Sequence, residues 1–239
     1  VLGRFHEIGI STADIRASVE FYERLGFSQA HTADTWPHPY GVLSDGRMFI
    51  GLHQIPFDSP ALTFVHAGVA RYARELESQG VTLAYQHTAE HEFNTIGLKD
   101  PAGQMIVLIE ARTFSPVLRR PENASLCGYF GEFSMPSADF AAAKAFWEPL
   151  GFVALEEAAL PYPHLALTSD HLDIAFHSPR ILDRPALVFR DQGMRERLAK
   201  LRDDAPGTWR DPPRGLSSEN NALLAAPEGT QLLFLEEES

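Results

Sequence analysis

Glu7-Ile8-Gly9-Ile10-Ser11-Thr12-Ala13-Asp14 decides the fold, because its pattern returns as Glu132-Phe133-Ser134-Met135-Pro136-Ser137-Ala138-Asp139. In each copy a glutamate opens a short strand and an aspartate introduces a helix. The helix ends in Leu25-Gly26-Phe27 in one copy and Leu150-Gly151-Phe152 in the other. Agreement over that span indicates a duplicated unit. Phe5 to Ser11 alternates, with Ile8 and Ile10 on one face and Glu7, Gly9 and Ser11 on the other. Asp14 is placed to accept amide hydrogens at the helix start. Ile15, Ser18, Val19, Tyr22 and Leu25 then form a stripe that Gly26 stops.

Outward from this unit the pattern continues. Strands are predicted at 27–30, 40–43 and 47–53, with Asp45-Gly46 as the hairpin turn between the last two. The same order restarts with a strand at 61–65, a helix at 69–76, and strands at 81–85, 93–98 and 104–109. The Asp100-Pro101-Ala102-Gly103 turn joins the last pair. The second half retraces the first: strand 129–135, helix 140–150, and strands 152–155, 164–168 and 172–177. A strand near 185–189, a helix at 194–201 and strands at 221–225 and 231–235 close it. The expected fold is α+β: four βαβββ modules forming two paired-module domains, with curved mixed sheets around a central cavity. The domains are 1–114 (modules 1–54 and 60–111) and 126–239 (modules 126–179 and 184–236), with a linker at 115–125. The short segment at 55–60 favours pairing of modules within each half.

The chain has 239 residues, 44% of them apolar, with 16 Phe. That suits two domains of about 120 residues with real cores. A net charge of -12 argues against a nucleic-acid binder. One cysteine, Cys127, rules out an internal disulfide. No signal peptide or membrane-length apolar run is visible, so a cytoplasmic location without membrane contact is expected.

Ile15 to Tyr22 leading to Leu25-Gly26-Phe27, the Asp100-Pro101-Ala102-Gly103 turn, and their counterparts at 140–147 and Pro227-Glu228-Gly229 resemble the vicinal oxygen chelate superfamily. That group includes glyoxalases, bleomycin-resistance proteins and extradiol dioxygenases. The resemblance covers nearly the whole chain in a tandem two-domain form. It implies divalent-ion ligands of His, Glu or Gln type on the first and last strands of paired modules. Carried onto this chain, the positions are Glu7, Gly51, Ala61 and Val107, then Glu132, Ala175, Ala186 and Leu233. Each half keeps one donor, whereas a catalytic site normally needs about three. No metal or other cofactor is therefore expected. If an ion (Zn, Ni, Fe or Mn) does bind, Glu7, His53 and His91 are the candidates. His6 is adjacent to Glu7, but counting back from Asp14 and Asp139 selects Glu7 and Glu132.

His53 and His177 lie two residues beyond Gly51 and Ala175 and should share the faces of those positions. Glu7 and His53 are the candidate catalytic pair, with Glu7 a general base toward an acidic carbon-bound proton. Trp36, His38, Tyr40, Phe49, Glu132 and His177 are candidate ligand-binding residues. His38, His53 and Tyr40 are also the candidates for stabilising the negative charge that follows proton removal. These residues support two functions. One is a cavity protein that binds a small organic molecule, with an incomplete metal-ligand set. The other is a lyase or isomerase, or an extradiol dioxygenase, with a non-standard centre around Glu7 and His53. A structural or interaction role is the third class. Both monomer and homodimer remain open.

Overall fold

The computed structural model describes residues 1–31, 36–89, 93–111, 125–204 and 207–237. Segment 112–124, which holds nearly all of the expected linker, lies outside the described residues, as does His91.

In the first half β1 (Arg4–Ser11), α1 (Ile15–Arg24), β2 (Ser28–Ala30), β3 (Tyr40–Ser44) and β4 (Phe49–His53) form one module. The next comprises β5 (Ala61–His66), α2 (Val69–Ser78), β6 (Leu83–His87), β7 (Thr95–Lys99) and β8 (Met105–Glu110). The eight strands make one mixed sheet in the order β2-β3-β4-β1-β5-β8-β7-β6. The modules meet where β1 pairs antiparallel with β5, and each first strand runs parallel to its module's last: β1 with β4, β5 with β8.

The second half repeats this arrangement. Its elements are β9 (Tyr129–Pro136), α3 (Phe140–Trp147), β10 (Val153–Ala154), β11 (His164–Thr168) and β12 (Ile174–His177), then β13 (Ala186–Asp191), α4 (Met194–Asp204), β14 (Thr208–Arg210), β15 (Ala222–Ala225) and β16 (Gln231–Glu236). They form the order β10-β11-β12-β9-β13-β16-β15-β14. Pairing within each half is thus as expected.

Local chemistry accounts for the repeat. Asp14 accepts a hydrogen bond from Ala17 N at 3.1 Å, and Asp139 accepts one from Ala142 N at 2.9 Å. Each thereby satisfies a helix-start amide. Gly26 and Gly151, at φ 87° and 106°, turn the chain after each helix. Asp45 holds the hairpin by accepting from Arg47 N and Met48 N, at 2.8 and 2.9 Å. Those bonds keep Arg47 and Met48 in the turn, so β4 begins at Phe49 rather than at Arg47. Edge strand β14 was not anticipated. Trp209 lies on it, its ring 5.9 Å from that of Phe234.

On the helix-facing side, Ile8, Ile10, Ile50, Leu52, Leu62, Phe64, Ile106 and Leu108 are buried against Phe21, Tyr22, Val69 and Leu76 of the helices. Each such side chain contributes roughly 1.5–3 kcal/mol on burial. Phe21 is buried too, widening the expected α1 stripe. The halves are joined reciprocally. Tyr22 and Ser18 of α1 donate to Glu228 at 2.9 Å each, in the last turn of the second half. Trp147, at the position matching Tyr22, donates its indole N–H to Asp100 in the last turn of the first half, at 3.2 Å. Both turns singled out in the sequence therefore receive a helix from the other half.

Candidate active site

Strand alternation leaves the other face of each sheet to form a hollow. In the first half Glu7 stands opposite Thr63, which pairs with Val107, and Gly9 stands opposite Gly51 and Ala61. Positions 51, 61 and 107 thus share the face of Glu7, as the alternation implied. Gly51 proves more than a missing ligand. A Cβ there would lie 2.2 Å from Glu7 Oε2, so the carboxylate occupies the space a side chain at 51 would need.

Glu7 is 1% exposed and His53 6%. His53 Nε2 is 3.0 Å from Glu7 Oε1, and its Nδ1 is 2.9 Å from His38 Nε2. The Tyr40 hydroxyl donates to Glu7 Oε2 at 2.5 Å. Register produces this cluster: Tyr40 is directly across from His53 in the β3–β4 pair, and Ser11 pairs with His53 on the other side. Rings enclose His53, with Tyr40 at 4.6 Å, Trp36 at 5.1 Å and Phe57 at 5.6 Å between centroids. Burial, and then neighbouring His53, lower the pKa of His38, which favours its neutral imidazole. The site thus offers one carboxylate, two imidazoles and a phenol joined by hydrogen bonds. Those groups can accept, donate and pass a proton.

Five expected residues, Glu7, His53, Trp36, His38 and Tyr40, come together here. Phe49 is half-buried on the same strand face, but across from Ser44 at the far end of β4 from His53. His6 approaches Glu7 Oε2 at 4.0 Å, because a bulge between Phe5 and Glu7 disturbs the alternation.

Glu132 and His177 occupy the matching places in the second half but are engaged differently. Glu132 accepts from Arg190 Nη2 at 3.2 Å. His177 is fully buried; its Nδ1 is 2.7 Å from Ser134 Oγ, and its Nε2 is 3.2 Å from the Leu182 carbonyl. Burial lowers its pKa to about 4. Tyr162, Leu182, Ala186, Val188, Leu223, Leu233 and Leu235 fill this hollow as a separate apolar cluster.

Ser134, Tyr162 and Arg190, with Phe57 in the first half, escaped the sequence reading. A signal for Tyr162 was present. Trp36-Pro37-His38-Pro39-Tyr40 and Leu160-Pro161-Tyr162-Pro163-His164 share a Pro-X-Pro pattern, with Tyr40 paired to His53 and His164 to His177.

The divalent ion implied by the resemblance does not fit the described donors. Of the four strand positions in the first half only Glu7 can coordinate. Among the described residues no group of three or more His, Cys, Asp or Glu converges for a metal. The Glu7 oxygens are engaged by His53 and Tyr40 instead.

No protein-family model matches the chain, and no curated protein matches it. Solved structures do match. A catechol 2,3-dioxygenase is 17% identical, over 98% of this chain and 88% of its own, with TM-score 0.60. The 2,2',3-trihydroxybiphenyl 1,2-dioxygenase of Sphingomonas wittichii RW1 is 15% identical, over 99% and 91%, with TM-score 0.61. A variant of homoprotocatechuate 2,3-dioxygenase from Brevibacterium fuscum is 16% identical, over 99% and 71%, with TM-score 0.64. At such identities the likeness speaks for the fold alone. The chain shares the fold of these dioxygenase structures, and its two halves have the tandem paired-module form that the resemblance to the vicinal oxygen chelate superfamily implied.

Proposed function

We propose that this protein is a lyase or isomerase that moves a carbon-bound proton on a small organic molecule held in the first hollow. Glu7 is the base. The observation that carries this reading is the buried Glu7 carboxylate, laid over Gly51 and bonded to both His53 and Tyr40. A base held in one orientation takes a proton without first being ordered. Removing a proton beside a carbonyl leaves negative charge on oxygen, and the Tyr40 hydroxyl, no longer needed by a carboxylate once Glu7 is protonated, is the donor placed to receive it. Trp36 and Phe57 suit a flat, partly apolar substrate. The proposed reaction requires no resident metal.

The probe is 2-hydroxyacetophenone in D2O, whose proton beside the carbonyl is acidic. Wild-type protein should catalyse deuterium uptake at that carbon, followed by proton NMR. Glu7→Gln should lower the rate about 10²–10⁴-fold with the circular dichroism unchanged. Equal uptake by wild type and Glu7→Gln would remove Glu7 from the mechanism. Saturable binding of the probe without uptake would favour the alternative of a binding protein. Oxygen consumption with catechol that depends on added Fe(II) would favour a dioxygenase, the activity named for the structural neighbours.

A further inference from the structure

A base as buried as Glu7 must pass on the proton it takes. His53 touches Glu7 through Nε2 and His38 through Nδ1, at 3.0 and 2.9 Å. Its ring is enclosed by Tyr40, Trp36 and Phe57. The two polar ends of the imidazole are therefore in use while aromatic rings surround the rest. His38 is half-buried and reaches the surface. Imidazole can accept a proton at one nitrogen and release one from the other, which suits it to a line of this kind.

We propose that His38 is the proton outlet of the site, so that Glu7 exchanges protons with water through His53 and then His38. This rests on Glu7 being the base. The protons balance as follows. Protonated Glu7 gives its proton to His53 Nε2, and the Nδ1 proton of His53 moves to His38 Nε2. The Nδ1 proton of His38 goes to water. Glu7 is again a carboxylate, both imidazoles are neutral, and one proton has left. The titratable groups around His53 are Glu7, His38 and Tyr40, with His6 beside Glu7. Tyr40 holds the carboxylate oxygen that His53 does not. His38 touches no reacting atom in this scheme and acts through His53.

His38→Gln separates a relay from a brace, because the glutamine amide can still pair with His53 Nδ1, accepting through its oxygen or donating through its nitrogen, but cannot pass a proton. The first readout needs no substrate: exchange of the His53 ring N–H with water, by NMR on 15N-histidine protein. The relay predicts exchange at least about ten-fold slower in His38→Gln. The second is loss of deuterium from 2-hydroxyacetophenone labelled beside the carbonyl, followed in H2O. In His38→Gln the abstracted deuteron returns to the same carbon before it can leave, so washout falls by about the same factor at unchanged KM. Added imidazole should restore both readings in His38→Gly. Wild-type exchange and washout in His38→Gln would overturn the proposal, as would faster N–H exchange in that variant. Absence of washout in wild type would instead count against Glu7 as base, while the N–H reading judges the relay on its own.

Discussion

At matching positions of the two sheets, Gly9, Gly51, Thr63 and Gly97 of the first half correspond to Ser134, Ala175, Val188 and Leu223 of the second. The small residues of the first half let larger side chains lie down on the sheet. Glu7 covers Gly51, and Tyr85 covers Gly97, where a Cβ would meet its ring at 2.2 Å. In the second half Val188 and Leu223 rise from the same positions and join Leu182 and Tyr162 in an apolar cluster. Ser134 takes one nitrogen of His177, and Arg190 takes Glu132. Val65 is the first-half counterpart of Arg190 and brings no charge. The same pair, glutamate and histidine, therefore meets in one half and is separated in the other. A few atoms of side-chain volume decide which.

This contrast can be broken in stages. The largest effect falls on chemistry in the first half: Glu7→Gln should lower turnover of the hydroxyketone about 10²–10⁴-fold while thermal melting hardly moves. On the other side, Leu182→Ala should cost about 2–5 kcal/mol by urea unfolding, because it empties part of a packed cluster. Its turnover at temperatures where it stays folded should match wild type. An equal loss of turnover in Leu182→Ala would mean that the two hollows are not functionally separate.

His177 gives the second half a pH dependence. Its pKa is lowered from 6.5 to about 4 by burial, so the unfolded chain binds its proton more readily than the folded one. Its contribution is complete above pH 6.5 and is lost as pH falls toward about 4. In all this amounts to about 3 kcal/mol. Urea unfolding between those pH values should show that slope, and His177→Gln should flatten it. Smaller still is Gly51→Ala, which makes the first hollow resemble the second at one position. The added methyl displaces Glu7 and should cost about 1–3 kcal/mol. Turnover should fall with it, whereas unchanged turnover would show that the seat at Gly51 is dispensable.

Much of this molecule was legible from its repeat. The Asp14 and Asp139 caps, the Gly26 and Gly151 stops, and the Asp45 and Asp100 turns act through bonds within a few residues, so local sequence carries them. Strand parity placed Glu7, Gly51 and His53 on one face, since alternation is a property of a strand by itself. Strand β14 was missed because Thr208-Trp209-Arg210 is too short to show a period and gains its partner from β15. The reciprocal use of Glu228 and Asp100 was also hidden, because each carboxylate bonds to a helix of the other half.

The sequence by itself determined the duplicated modules, their internal pairing and the face on which each candidate lies, because propensity, capping and alternation operate over short stretches. Only the tertiary structure decided that Gly51 is a seat for Glu7, that His38 reaches His53, and that an apolar cluster packs into the second hollow. Those outcomes depend on side-chain volumes and donors brought together from strands and loops distant in the chain. Their contacts leave no period in any one segment.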